Sequence, residues 1–275
     1  MTAELGEGAA TPADRAPPAP GSVEAWALDY ILSRSLAHKL EPPLPPRSFE
    51  PTPRPRHVPE PGRPPELRPA RRTQSVPEDL TARSARAKLL HTFFHHELQA
   101  AELMLWALLA FADAEASFRK GLLGIALDEI RHMKVYRAQI ERLGFHVGDF
   151  PVRDWFWQRV PSSRTKIEFA ALMGMGLEAA NLEHAPHFAE RLRAAGDVEA
   201  ARTQELIARE ELAHVRFAVR WFERWTRGQS FDVWRSSLPP PLSPLLMRGK
   251  EFDREARLRA GMDADFVTAL ERWKP

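Results

Sequence analysis

Two Glu-x-x-His motifs carry the chemistry this sequence offers: Glu129-Ile130-Arg131-His132 and Glu211-Leu212-Ala213-His214. A spacing of three puts both side chains on one helix face, less than a turn apart, where they can converge on a metal ion. One such motif is a weak signal, because Glu and His are common on exposed helices. Upstream of each lies a pair of glutamates five residues apart, Glu97 and Glu102 before the first and Glu178 and Glu183 before the second. Glu97 precedes Glu129 by 32 residues and Glu178 precedes Glu211 by 33. The whole constellation is therefore an internal repeat, far more specific than either motif alone.

Five residues turn a helix through about 500°, so the two glutamates of a pair point roughly 140° apart and cannot both face one centre. Glu97 lies on an apolar seam with Leu90, Phe94, Ala101, Met104, Leu108 and Phe111. Glu178 lies on a seam with Ala171, Met175, Leu182 and Ala185. Those two are the chosen ligands; hairpin symmetry does not decide, since Glu102 fits it nearly as well as Glu97. The motif pairs likewise interrupt apolar stripes, Glu129 and His132 among Leu122, Ile125, Ala126, Met133 and Ile140, Glu211 and His214 among Ile207, Val215, Ala218 and Phe222.

A buried carboxylate without a partner costs on the order of several kcal/mol. Four carboxylates and two imidazoles at one depth would repel and stay unsatisfied. Two divalent cations cancel four carboxylate charges and satisfy the lone pairs. The ligand set expected is Glu97, Glu129, His132, Glu178, Glu211 and His214, the dimetal-carboxylate pattern of helical bundles. Iron is the expected metal and manganese accepts the same donors. Two blander readings stay open: exposed pairs whose symmetry is accidental, and a bundle that holds one ion or none. Tyr136, one of two tyrosines, lies one turn past His132 and is either a proton or redox relay or a packing residue. His91, His95 and His96 read as surface or helix-start residues. Glu102, Glu183, His184 and His187 read as outer partners of the site or as surface. Trp155, Trp157, Trp221 and Trp225 read as core.

The elements that must position these residues are helices. The periodicity predicts an all-α fold with four long helices at 79–111, 115–143, 164–195 and 197–227. Gly144 ends the second and Gly196-Asp197 separates the third from the fourth. An aromatic, irregular stretch between helices two and three is long enough to cross the bundle. Two antiparallel hairpins joined by one long crossover is the ferritin-like four-helix arrangement, expected over 78–227. A C-terminal extension, 228–275, carries a Pro-rich run and a short helix at 264–273 and is expected to pack on the bundle.

Seventeen of the 25 prolines fall within residues 1–77. Residues 1–21 read as a disordered tail. Residues 22–40 read as one amphipathic helix, with Ser22 as its cap. Residues 41–77 read as an extended arm, since so many positions lack a backbone donor. The arm is rich in arginine (Arg47, Arg54, Arg56, Arg63, Arg68, Arg71, Arg72), which suits either carboxylate pairing on the body or RNA contact. The chain has no Cys, which excludes disulfides, thiolate metal sites and a cysteine nucleophile. A net charge of +2 is too weak to argue for nucleic acid by itself. With no leader-like segment and no membrane span in the pattern, the expected location is cytoplasmic.

The segments HHELQAAELMLWALLAF, DEIRHMKVY, FPVRDWFW, MGLEAANLEHA, REELAHVRF and LPPPLSPLLMRG resemble the domain of unknown function 455 family, a ferritin-like group, over most of residues 78–250. The N-terminal VEAWALDYILSRSLAHKL also fits that family. A more distant likeness is to the non-haem diiron tRNA hydroxylases acting on 2-methylthio-isopentenyladenosine, through the Glu97-Leu98-Gln99-Ala100-Ala101 run and the Glu178 to Glu183 run. It favours Glu97 and Glu178 as ligands and does not carry over the tRNA substrate. The resemblance to the superfamily implies that the acid before each motif orients the histidine of the opposite helix, pairing Asp128 with His214 and Glu210 with His132. It further implies an O₂-dependent oxidoreductase, hydroxylase-like, with two iron ions, an external reductant and an unknown substrate. The alternatives are metal handling or peroxide removal without an organic substrate, and an RNA- or protein-binding bundle with a structural metal.

Overall fold

The computed structural model describes residues 17–70, 77–249 and 251–275. Most of the expected tail and residues 71–76 of the arm, Arg71 and Arg72 among them, lie outside them. Among the described residues the chain is all-helical, with no strand and one isolated parallel bridge between Pro69 and Val152.

The stretch expected to be one helix from Ser22 to Leu40 is two, α1 (Val23–Leu32) and α2 (Leu36–Leu40). The break has a local cause. Ser33 is extended, and Ser35 caps α2 by accepting a hydrogen bond from the His38 amide. Serine competes with the helix for its own backbone and is better placed at caps than inside.

The long helices are α3 (Arg83–Ala110), α4 (Ala116–Arg142) and α7 (Val198–Thr226), with a composite rod between the last two. That rod was expected to be a plain α-helix over 164–195. It is α5 (Lys166–Phe169), a π-helical segment (Ala170–Glu178) and α6 (Ala179–Ala194) in succession. The wide segment carries Gly174 and Gly176, where a Cβ would lie 2.1 Å from the Ala218 Cβ and 2.5 Å from the Met247 sulfur. Neighbours press where those side chains would be, and the π winding ends on Glu178. π segments are rare and concentrate at functional sites.

α3 pairs with α4 along its length, and α6 with α7. α4 and α7 touch across the middle, and the stretch between α4 and α5 crosses from one hairpin to the other. Asp197 caps α7 and also accepts from Arg86 at 3.0 Å, tying the two hairpins at one end.

The Pro-rich arm is fastened to the body by main-chain bonds. The Arg56 amide donates to the Leu109 carbonyl and the Gly62 amide to the Ile31 carbonyl. A Cβ on Gly62 would lie 2.1 Å from the Leu32 oxygen, so only glycine permits that approach. At the other end α9 (Arg254–Arg259) packs on α6, and α10 (Ala264–Arg272) packs on α9 and on α8 (Phe231–Ser236). Trp234 is fully buried and donates its indole N–H to the Ala171 carbonyl at 3.0 Å.

Candidate metal centre

The six repeat residues reach one place from four elements: Glu97 from α3, Glu129 and His132 from α4, Glu178 from the end of the π segment, and Glu211 and His214 from α7. All are buried, and Glu129, His132 and Glu211 are fully so. Both imidazoles turn Nδ1 inward. His132 Nδ1 lies 3.0 Å from Glu129 Oε2, 3.4 Å from Glu97 Oε2 and 3.6 Å from Glu211 Oε1. His214 Nδ1 lies 3.0 Å from Glu129 Oε1 and 3.3 Å from Glu211 Oε2. Glu129 and Glu211 therefore each present one oxygen to one histidine and the second oxygen to the other.

Ligand atoms of Glu97, Glu129, His132 and Glu211 lie within 4.8 Å of one another, a group that can hold a metal ion. Glu178 and His214 stand outside that group of four and border it. His214 does so through the distances above, and Glu178 lies close enough to Glu211 and Glu129 to feel their charges. Glu129 Oε1, Glu178 Oε1, both Glu211 oxygens and His214 Nδ1 are buried without a hydrogen-bond partner. Native interiors rarely leave such atoms unsatisfied, and a carboxylate-imidazole donor set is what hard and borderline divalent ions accept. The residues present fit a bound metal.

The electrostatics agree. Burial, and then the neighbouring Glu129 carboxylate, push the Glu97 carboxyl well above its ordinary range. Burial, Glu211 and Glu129 do the same to Glu178. His132 is raised to about 12, because Glu129 and Glu97 outweigh a burial effect that acts downward. His214 is raised likewise by Glu211 and Glu129, against burial. Without metal the cluster thus manages its surplus negative charge by holding protons.

Each imidazole donates or accepts outward through Nε2. His132 Nε2 lies 2.7 Å from Glu210 Oε2, and His214 Nε2 lies 3.4 Å from Asp128 Oδ2, the two pairings expected. Arg131 joins them, its Nη2 reaching Glu210 at 2.8 Å and Asp128 at 3.3 Å. Such outer carboxylates fix the ring orientation of a metal-binding histidine. Tyr136 is buried, and its hydroxyl donates to Gln204 at 2.6 Å. Burial and the nearby glutamates keep that phenol protonated.

Several residues read as surface or as outer partners of the site are neither. Glu102 is fully buried and faces away from the cluster. It accepts from Lys39 at 2.8 Å, from Arg63 at 2.6 Å and from the Trp157 indole at 2.9 Å. Glu183 is buried against Arg257, with contacts of 2.8 and 3.0 Å. His91 accepts from the Gly148 amide, and burial lowers it to about 4. His95 lies 3.0 Å from Asp154. Both are buried, and both hold the crossover against α3. His96, half-buried, packs its ring 4.9 Å from Phe156 of the same crossover. The four tryptophans are not one cluster. Trp157 is buried beside Glu102, Trp155 is half-buried near it in the crossover, and Trp221 and Trp225 meet Phe118 edge to face, half-buried. Among the described residues no helix is long and apolar enough to cross a membrane.

An all-helical body with a buried carboxylate-histidine cluster able to hold a metal ion is the class this structure defines. The chain belongs to the family described as a protein of unknown function, DUF455, whose model matches residues 23–268. It is also similar to an uncharacterized protein of Haemophilus influenzae, 25% identical over 215 residues, 72% of this chain and 74% of that protein. No solved structure matches it.

Proposed function

We propose that this chain is a ferritin-like dinuclear metal-carboxylate protein, with iron as the resident metal and an O₂-dependent oxidation of a small molecule as its reaction. The observation that carries this reading is the pair of two-ended carboxylates. Glu129 and Glu211 each span both imidazoles through separate oxygens, the disposition of ligands shared by two ions rather than held by one. His132 with Glu97 would complete one half-site and His214 with Glu178 the other. Hairpin, crossover and hairpin order supports the superfamily assignment.

Bound ferrous iron would supply the electrons for O₂ reduction. The chain supplies the rest. Four buried carboxylates would hold the ions, and Glu210 and Asp128 hold the imidazole rings with Nδ1 inward. The apolar residues around the cluster keep water from the site. Manganese suits the same donors, so the assay is repeated with manganous ion, which should not support O₂ consumption. Reconstituted with ferrous iron and given a chemical reductant, the protein should consume O₂, and Glu129→Ala and Glu211→Ala should not. Consumption at equal rates in the variants would sink the reading.

A further inference from the structure

A cavity of about 500 Å³ opens between α3, which carries Glu97, and α6, which begins one residue after Glu178. Its wall includes Phe93 and His96 from α3, and Asn181, His184, His187 and Phe188 from α6. Phe93 is one turn before Glu97, and Asn181 is three residues after Glu178. The wall thus comes within about one helical turn of the cluster on both elements, and no cluster residue is part of it. The Phe93 ring lies 5.7 Å from Tyr136, one turn beyond His132. Glu97, 7% exposed, is the least covered of the four cluster carboxylates, against 4% for Glu178 and none for the others.

We infer that this cavity binds a neutral, planar aromatic molecule and is the substrate pocket of the centre. Its size falls in the range of small-molecule sites. Phe93 and Phe188 meet edge to face at 5.1 Å and make an aromatic floor. The imidazoles at the mouth offer hydrogen bonds to ring edges. The wall's charged groups are engaged elsewhere. Glu183 is bound to Arg257, and Arg191 donates to the Pro77 and Glu78 carbonyls while lying over Phe188. Arg191 and exposed Glu251 bring one charge of each sign to the lining, so no net charge there calls for an ion. That the ligand is a substrate rests on the dimetal reading; that it binds does not.

Fluorescence titration of the full chain tests the pocket with two probes of one skeleton, neutral N-phenyl-1-naphthylamine and anionic 8-anilinonaphthalene-1-sulfonate. The neutral probe should bind saturably at one site, at least tenfold tighter than the sulfonate. Phe188→Ala, which removes the floor, should weaken it at least tenfold. So should His187→Trp, an exposed position where a larger ring blocks the mouth without burdening the core. Absence of saturable binding, equal affinity for the two probes, or full affinity in both variants with native helical content would overturn the pocket. Metal content of the same samples separates the failures. Probe binding without metal leaves the pocket standing and sinks the dimetal reading; metal without probe binding does the reverse.

Discussion

Glu97 and Glu102 sit five residues apart on one helix, both buried, in opposite electrostatic situations. Glu102 meets two cations and an indole N–H, Lys39 from α2, Arg63 from the arm and Trp157 from the crossover. Glu97 meets an imidazole that it shares with two further carboxylates. The second half of the repeat copies the contrast. Glu183 is neutralised by Arg257 of the C-terminal extension, while Glu178 lies among glutamates with one oxygen unpartnered. The first glutamate of each pair faces the centre and the second fastens a terminal extension to the outside. A buried carboxylate that brings its own cation is a rivet. Carboxylates buried together with too little positive charge leave a vacancy of charge, which is the physical case for metal.

The comparison breaks most visibly at the rivet. Glu102→Ala strands Lys39 in the interior and leaves Arg63 with Asp154 as its carboxylate partner, and removing one partner of a buried pair costs about 3–5 kcal/mol. Thermal unfolding should fall by roughly 10 °C, while metal bound per folded chain stays the same. A loss of metal with no loss of stability would show that the two glutamates have been assigned the wrong way round.

Proton release sharpens the same contrast from the other side. Metal needs neutral imidazole and ionised carboxylate. In the metal-free protein His132 is raised to about 12 and His214 is raised well above its ordinary value, while Glu97 and Glu178 are pushed up toward their protonated forms. Metal must displace those protons, so affinity should rise with pH throughout the range below the His132 value of about 12. Calorimetric heats should depend on the buffer's own ionisation enthalpy. Heats independent of buffer would contradict the protonated state of the empty cluster.

A smaller effect is expected outside the ligands. Glu210→Gln leaves His132 its hydrogen bond and removes the charge behind it. Metal affinity should fall about ten- to a hundredfold, with little change in thermal stability because Glu210 is partly exposed. Unchanged affinity would make the contact incidental.

The seam of α3 separated Glu97 from Glu102 because apolar periodicity marks which way a helical residue points. The helix limits followed from the same signal and from the glycines at 144 and 196. What escaped was long-range or invisible to composition. The partner of Glu183 lies 74 residues away, and Arg63 lies 39 residues before Glu102. Lys39 carries no local sign that it is buried. The exact spacing within both glutamate pairs was a signal that the second members also have a common role, and only their partners show what it is. The π segment was missed because its residues suit an α-helix equally well; the glycines at 174 and 176, in an otherwise apolar run, were the available hint. His91 and His95 were misplaced because the crossover that buries them has no regular pattern.

If Glu129 and Glu211 are shared by two ions, the metal content of the chain depends on both. The most direct test is metal analysis of the full chain purified without added metal, beside Glu129→Ala and Glu211→Ala, with Glu102→Gln as the buried carboxylate outside the centre. Two ions per chain, lost in the first two variants and retained in the third, is the predicted result. Metal content unchanged by removal of Glu129 and of Glu211 would contradict it.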